Sequence, residues 1–378
     1  MDFAASWYPL LQSSELRHKP VALQRFGERF VAWRVAGGTP VIMGEHCPHM
    51  GASLAQGSVS RDGCLQCPFH GWRFDGSGRC VEVPGEERIP IKAHRTPLIT
   101  AERYGHVWAW WGTEQPLFEL PRFPHVDAAA AFGWPTYGRY DVTAPARLLL
   151  SNSFDGAHLR YVHSLRFRSV DQQYPPYSKE GEIQPRGVEP EAWYGGITKM
   201  DVQSFSFSDV FYMLYKKIIL REEADVAAML AASFQIERVG LRIDAWPTGL
   251  CAELFMNEKL ALTFINSVAP VDTNRCIFGT TVFRARTGNV FHDAVAWGRR
   301  YFERWHSGND GEPLVFDNVN TDAGGLYVAA DRAVLGYLEL YDRYCARVDP
   351  AWLLARQAGT GGRARGAAND VLPFLSVS

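Results

Sequence analysis

Between residues 21 and 112 the chain sets short runs of β-branched and aromatic residues between turn signals. The runs are Val21–Arg25, Phe30–Val35, Val41–Met43 and Val107–Trp111. Gly37-Gly38, Gly76-Ser77-Gly78 and Pro84-Gly85 punctuate them. Apolar runs of this length between such breakers predict strands, and their number predicts a small antiparallel sandwich or barrel. A proline-rich stretch follows, from Pro116 through Pro121 and Pro124 to Pro135, and marks a domain boundary. Beyond it a helix is expected to open at Thr143 as N-cap, with Pro145 in its first turn, and to run through Leu148-Leu149-Leu150 into the 150s.

Residues 175 to 195 are polar and read as a surface loop. Strand patterns dominate from 197 to 287, as in Phe234–Arg238, Ala252–Phe255 and Ile277–Phe283, while 290 to 306 and 332 to 346 have helical periodicity. The fold class predicted is α+β. An all-β domain over 1–115 precedes a domain over 116–358, an antiparallel sheet flanked by helices, and a Gly/Ala/Arg-rich tail over 359–378 is expected to be flexible.

Composition narrows the classes. At 378 residues the chain is long enough for two domains. A net charge of -2 and a pI of about 6.6 suggest neither a nucleic-acid nor a membrane-surface partner. No apolar stretch approaches the roughly 18 residues that a membrane span needs, so a cytoplasmic location is expected. Seven cysteines, an odd number thinly spread, do not make a disulfide framework. Four of them lie between residues 47 and 80, which turns attention to metal binding.

The first constellation is Cys47-Pro48-His49, then seventeen residues, then Cys67-Pro68-Phe69-His70. Two loops, each with one thiol and one imidazole, suit a [2Fe-2S] cluster with two thiolates on one iron and two imidazoles on the other. Gly51, Gly57, Gly63 and Gly71 allow tight loops, and Trp72, Phe74 and Phe69 are expected to shield one side. A Cys2His2 zinc site is the alternative, although zinc spacing usually keeps cysteines with cysteines and histidines with histidines. His46 and Cys64 read as bystanders, and Cys80, Cys251, Cys276 and Cys345 as ordinary thiols.

The second constellation is Asn152-x-x-Asp155-x-x-His158-x4-His163. Two histidines and a carboxylate on one face, with open positions opposite, suit a mononuclear Fe(II) that activates O2. In a regular helix residues five apart diverge by about 140°. The helix is therefore expected to bulge or end between His158 and His163.

Over residues 44–79 and 152–163 the chain resembles the Rieske-type non-heme iron oxygenases, specifically the catalytic subunits of the homotrimeric O-demethylase, steroid hydroxylase and biosynthetic oxygenase type. Cys47-Pro-His49-Met-Gly-Ala and Cys67-Pro-Phe-His70-Gly-Trp-Arg-Phe-Asp-Gly-Ser-Gly carry the resemblance, and Trp7-Tyr8-Pro9-Leu10 is similar to the start of such subunits. The resemblance implies that Cys47, His49, Cys67 and His70 hold the cluster and that His158 and His163 bind Fe(II). It makes Asp155 the carboxylate that bridges to a cluster histidine of a neighbouring subunit, and places Asn152 in the same motif. The third iron ligand is expected in Glu312-Pro-Leu-Val-Phe-Asp317-Asn-Val-Asn-Thr-Asp322. Asp317 is favoured over Asp322 and Glu312, because Leu314-Val315-Phe316 would carry it into the core.

The function expected is an oxygenase that hydroxylates, demethylates or oxidatively cyclises a hydrophobic organic substrate. NAD(P)H serves indirectly, through a separate reductase with or without a ferredoxin, since the chain has no flavin or nicotinamide fingerprint. Arene cis-dihydroxylation, a Rieske electron carrier with a degenerate second domain, and a zinc module are the alternatives. A head-to-tail homotrimer is implied, on the premise that two separate cores hold the metal sites too far apart for transfer within one chain.

Overall fold

A computed structural model describes residues 3–128, 135–161, 167–175, 183–202, 237–284, 315–320 and 325–360. Its N-terminal part holds three small antiparallel sheets. One orders β2 (Val21–Arg25), β3 (Glu28–Arg34) and β4 (Pro40–Gly44). A second orders β1 (Ser6–Gln12), β10 (His106–Trp111) and β9 (Thr100–Arg103). The third orders β5 (Ser58–Val59), β6 (Leu65–Gln66), β7 (Arg73–Phe74) and β8 (Cys80–Glu82), and carries the cysteine loops.

Strand β3 explains why its run is apolar throughout rather than alternating. Phe30 and Ala32 face one core with Ile42, while Val31 and Trp33 face another with Val41, Met43, Cys47 and Cys67. A strand covered on both faces needs apolar residues at every position.

The second part is a seven-stranded antiparallel sheet. Its order is β11 (Thr136–Val142), β17 (Cys276–Arg284), β16 (Lys259–Pro270), β15 (Gly249–Met256), β14 (Arg238–Trp246), β13 (Tyr194–Val202) and β12 (Phe167–Gln173). Register divides it into two faces. Arg242, Asp244 and Trp246 share one face with Cys251, Glu253 and Thr263. This face meets the N-terminal part, with Trp246 6.0 Å from Trp108 and Tyr137 5.7 Å from His106 between ring centroids. Its charges satisfy one another: the Arg242 Nε donates to Asp244 at 3.0 Å, and Glu253 lies 3.2 Å from His125 Nε2. His125 belongs to α1 (Pro124–Asp127), so the pair fastens the proline-rich stretch onto the sheet.

The other face, with Tyr194, Ala245, Leu250 and Val268, lies under α2 (Ala146–Ser151) and α4 (Arg332–Cys345). Phe154 is the keystone, 5.2 Å from both Tyr194 and Tyr337. A short α3 (His158–Tyr161) follows α2 in the chain.

Several expectations change. The two parts do not have separate cores: Trp7, Trp108 and Trp110 share one buried cluster with Trp246, Leu250 and Tyr344. The proline-rich stretch is packed rather than loose, since Phe118, Leu120 and Phe123 are buried and Trp7 Nε1 donates to the Phe118 carbonyl at 2.9 Å. The last helix, α5 (Pro350–Thr360), returns to the N-terminal part, where Trp352 meets Trp111 edge-on at 5.0 Å.

Helix α2 opens at Ala146 with Pro145, not Thr143, as N-cap. The fixed φ of proline suits that junction, while the Thr143 amide is occupied elsewhere. Within 175–195, Ile183, Val188 and Ala192 are buried and strand begins at Tyr194, because the loop packs over the charged face. The expected helix over 290–306 and tail over 361–378 lie outside the described residues.

Candidate metal centres

The two cysteine loops are built alike. In the first, the Cys47 amide donates to the Ala52 carbonyl at 2.9 Å and the Gly51 amide to the Cys47 carbonyl at 3.0 Å. In the second, Cys67 and Trp72 pair at 2.8 Å, and Gly71 and Cys67 at 3.2 Å. Gly51 at φ +74 and Gly71 at φ +73 close the loops in the left-handed region that favours glycine.

Both thiols are buried while both imidazoles are exposed. The His49 and His70 rings stand 4.6 Å apart, and Trp72 stacks flat on His49 at 4.6 Å. Phe74 is buried beneath, but Phe69 is 60% exposed and covers His70 from the outer side, at 3.9 Å, rather than sealing the site. Burial pushes the Cys47 thiol up to about 11; the His49 backbone N–H on its sulfur opposes the rise and neighbouring Cys67 adds to it.

This donor set fits a two-iron cluster. Thiols inside and imidazoles outside divide two and two, and backbone N–H bonding to sulfur is the arrangement such clusters use. Among the described residues no three histidine, cysteine or acidic side chains converge on a single-ion centre. A tetrahedral zinc site would need such convergence. His46 turns away to the Gly51 carbonyl at 3.1 Å, and Cys64 lies against Asp62.

Glu45, just before the first loop, was not anticipated. It is buried, receives Arg29 at 2.7 and 2.9 Å and also the Ser53 hydroxyl. It thereby ties the base of the loop to β3. Its sequence neighbours do not announce this, because Arg29 comes from another strand.

The second constellation is held differently. After α2 comes a 3-10 turn over Asn152–Phe154, and the chain then extends at Asp155 (φ -85, ψ 106). The helix thus breaks before His158; residues 162–166, His163 among them, lie outside the described residues. Buried Phe154 pins the break.

The Asp155 carboxylate accepts the Ala157 amide at 2.8 Å and the His158 amide at 3.4 Å, which starts α3. His158 Nδ1–H donates to the Asp155 carbonyl at 2.5 Å. That bond selects the tautomer whose Nε2 carries the lone pair, the form a metal ligand needs. Asn152 sits on the 3-10 turn, and its carbonyl receives the Asp155 amide at 3.0 Å.

Asp317 is exposed and accepts the Thr143 amide at 2.7 Å. The apolar run does not carry it inward: Phe316 is buried, whereas Val315 is half exposed. Glu312, Asp322 and the aromatics Phe205, Phe207, Phe211 and Tyr212 lie outside the described residues. Cys80, Cys251 and Cys276 are buried free thiols and Cys345 a partly buried one.

Known proteins place this arrangement. The Rieske [2Fe-2S] domain family matches residues 6–95. Aminopyrrolnitrin oxygenase of Pseudomonas fluorescens is 30% identical over 356 residues, covering 91% of this chain and 92% of that protein. The oxygenase component of 3-ketosteroid-9-alpha-monooxygenase from Rhodococcus rhodochrous is 31% identical over 167 residues, 43% of each chain. The crystal structure of dicamba monooxygenase superposes with a TM-score of 0.69 over 90% of this chain and 97% of that one, at 17% identity, and so shares the fold.

Proposed function

The chain belongs to the Rieske non-heme iron oxygenases, and we propose that its reaction is hydroxylation or demethylation of a hydrophobic, ring-containing substrate. When bound, the [2Fe-2S] cluster passes single electrons from a reductase and the mononuclear Fe(II) activates O2. The twin loops carry this reading, with two buried thiols and two adjacent exposed imidazoles on one tip of the small sheet. Cys47, His49, Cys67 and His70 are the residues suited to the cluster. His158 and His163 suit the mononuclear iron, with Asp317 as the carboxylate ahead of Asp322 and Glu312. Relatives named for aminopyrrolnitrin and a 3-ketosteroid support an organic small molecule as substrate.

The working assembly proposed is a head-to-tail homotrimer, served by a reductase with or without a ferredoxin. The shared core removes the argument from separate domains, and exposure replaces it. Imidazoles that face outward, rimmed by Met50 at 64% exposure and Phe69, present an apolar patch to a neighbour. Asp155, with its side chain 33% exposed, is placed to hydrogen-bond an imidazole from outside. Turnover is proposed to occur in the cytoplasm; no helix among the described residues is long and apolar enough to cross a membrane.

The test is metal analysis with product analysis. About three irons and two labile sulfides per chain are expected. With a reductase, NADH and 18O2, label should enter an alcohol or the aldehyde released by demethylation. Two irons and no O2 uptake would instead mark an electron carrier. Mixing Cys67→Ser and His158→Ala subunits should restore part of the activity lost by each, and verified mixed oligomers without activity would sink the inter-subunit route.

A further inference from the structure

Asn266 lies mid-strand in β16, opposite Thr280 on β17 and Leu250 on β15. Register puts it on the helix-covered face of the sheet, in one row with Ala245 and Tyr194. Its Oδ1 is shut off from solvent and has no hydrogen-bond partner among the described residues. Phe264 and Val268 flank it on the same face. An unpaired acceptor among apolar side chains weakens a fold, and buried polar atoms are nearly always paired.

The surroundings suggest what pairs it. Toward one end the face is closed, with Ile243, Ala245 and Val268 buried. Toward the other it is half open, with Leu254, Phe264 and Val282 only partly covered. Helix α2 lies across β16 and leads through Phe154 to Asp155 and His158. The amide therefore sits in an apolar hollow beside the elements that present the proposed iron ligand.

We propose that Asn266 is the polar anchor for the substrate, its Oδ1 accepting a hydrogen bond from an N–H or O–H group on an otherwise hydrophobic molecule. The inference rests on the oxygenase reading and narrows its substrate class to arylamines, N–H heteroaromatics and phenols or alcohols. A site built to hydrogen-bond such a group rejects analogues without it, because its own acceptor is then left unpaired. Asn266 is a specificity residue here, and the chemistry stays with the metal ligands.

The test uses the iron-loaded enzyme under argon, so that binding is read without turnover. Three matched pairs serve as probes: indole and indene, 2-naphthol and 2-methylnaphthalene, aniline and toluene. In calorimetric titrations, wild type should bind the donor-bearing member of at least one pair about tenfold tighter. Asn266→Leu should lose that preference by weakening the donor-bearing member alone. It should also melt no lower than wild type, since it removes an unpaired amide. Absence of donor preference in all three pairs overturns the proposal, as does a preference that survives Asn266→Leu. A lowered Tm with the preference intact would mark the amide as purely structural and overturn it too. Iron content and O2 uptake are measured alongside. If both are normal while the preference is absent, only the role of Asn266 falls; if they are missing, the oxygenase reading falls with it.

Discussion

The twin cysteine loops and the stretch from Asn152 to His158 both present metal-binding residues, but they are held in opposite ways. Each loop is closed by two backbone hydrogen bonds within six residues and by one left-handed glycine. Its geometry travels with the local chain. The iron stretch owes its shape to Phe154, wedged between Tyr194 of the sheet and Tyr337 of α4, residues from far along the chain. A locally closed loop tolerates distant change, whereas a site hung on a tertiary contact does not.

Removing a loop thiol tests the self-contained site most severely. Cys47→Ser or Cys67→Ser should abolish the visible absorption and labile sulfide while far-UV circular dichroism stays near wild type. Colour that survives in both variants would refute the cluster assignment.

Removing a ligand of the second site should leave the first untouched. His158→Ala and His163→Ala should keep the cluster spectrum, lose the remaining iron and reduce turnover below detection. Asp317→Asn should do the same and Asp322→Asn should not; metal analysis showing the reverse would move the ligand to Asp322. Asp155→Asn, with normal iron content, should slow single-turnover electron transfer by orders of magnitude.

Phe154→Ala addresses the tertiary wedge directly. Emptying a buried aromatic costs about 3–5 kcal/mol, read by urea titration. If the contrast holds, mononuclear iron affinity falls while cluster absorption persists. Equal loss of both metals would erase the distinction.

Glu45 is where the cluster loop does depend on its surroundings. Burial alone would raise its carboxyl, but Arg29 and Ser53 hold it below the ordinary value. A lowered folded value means that its contribution is present above the unfolded pKa near 4.5 and is lost as pH falls through the folded one. Glu45→Gln should therefore cost about 1–3 kcal/mol at pH 7, and the gap to wild type should close in melts below pH 4. A gap that widens in acid would contradict the assignment.

The smallest effect separates the loops themselves. A Cβ at Gly51 meets open space, so Gly51→Ala carries only backbone strain of about 1–2 kcal/mol. At Gly71 the Cβ also meets Pro84 Cγ at 3.1 Å, so Gly71→Ala should cost more. Equal melting temperatures would show that Pro84 gives way.

Much of this was legible beforehand. Val21–Arg25, Val41–Met43 and Val107–Trp111 lie within β2, β4 and β10, because alternation and punctuation are local properties of a strand. The helix over 332–346 matches α4. The cysteine loops were legible from spacing, since each thiol and its imidazole lie within three residues. The helix start was not: Thr143 has the better capping side chain, but Asp317, 174 residues away, takes its amide. Nor was the break at Asp155, which Phe154 makes by packing and not by any helix-breaking residue.

The sequence by itself determined the two kinds of metal-binding loop, the strand-rich character and the oxygenase class, because these rest on residue chemistry at short spacing. Tertiary structure alone decided that one apolar core runs through both parts, that Glu45 and Arg29 brace the first loop, and that Asn266 turns an unpaired acceptor toward the helix side of the sheet. The reason is physical. A side chain's rotation along a strand follows from its position, but whether that face meets water, a helix or another domain depends on residues the local sequence does not contain.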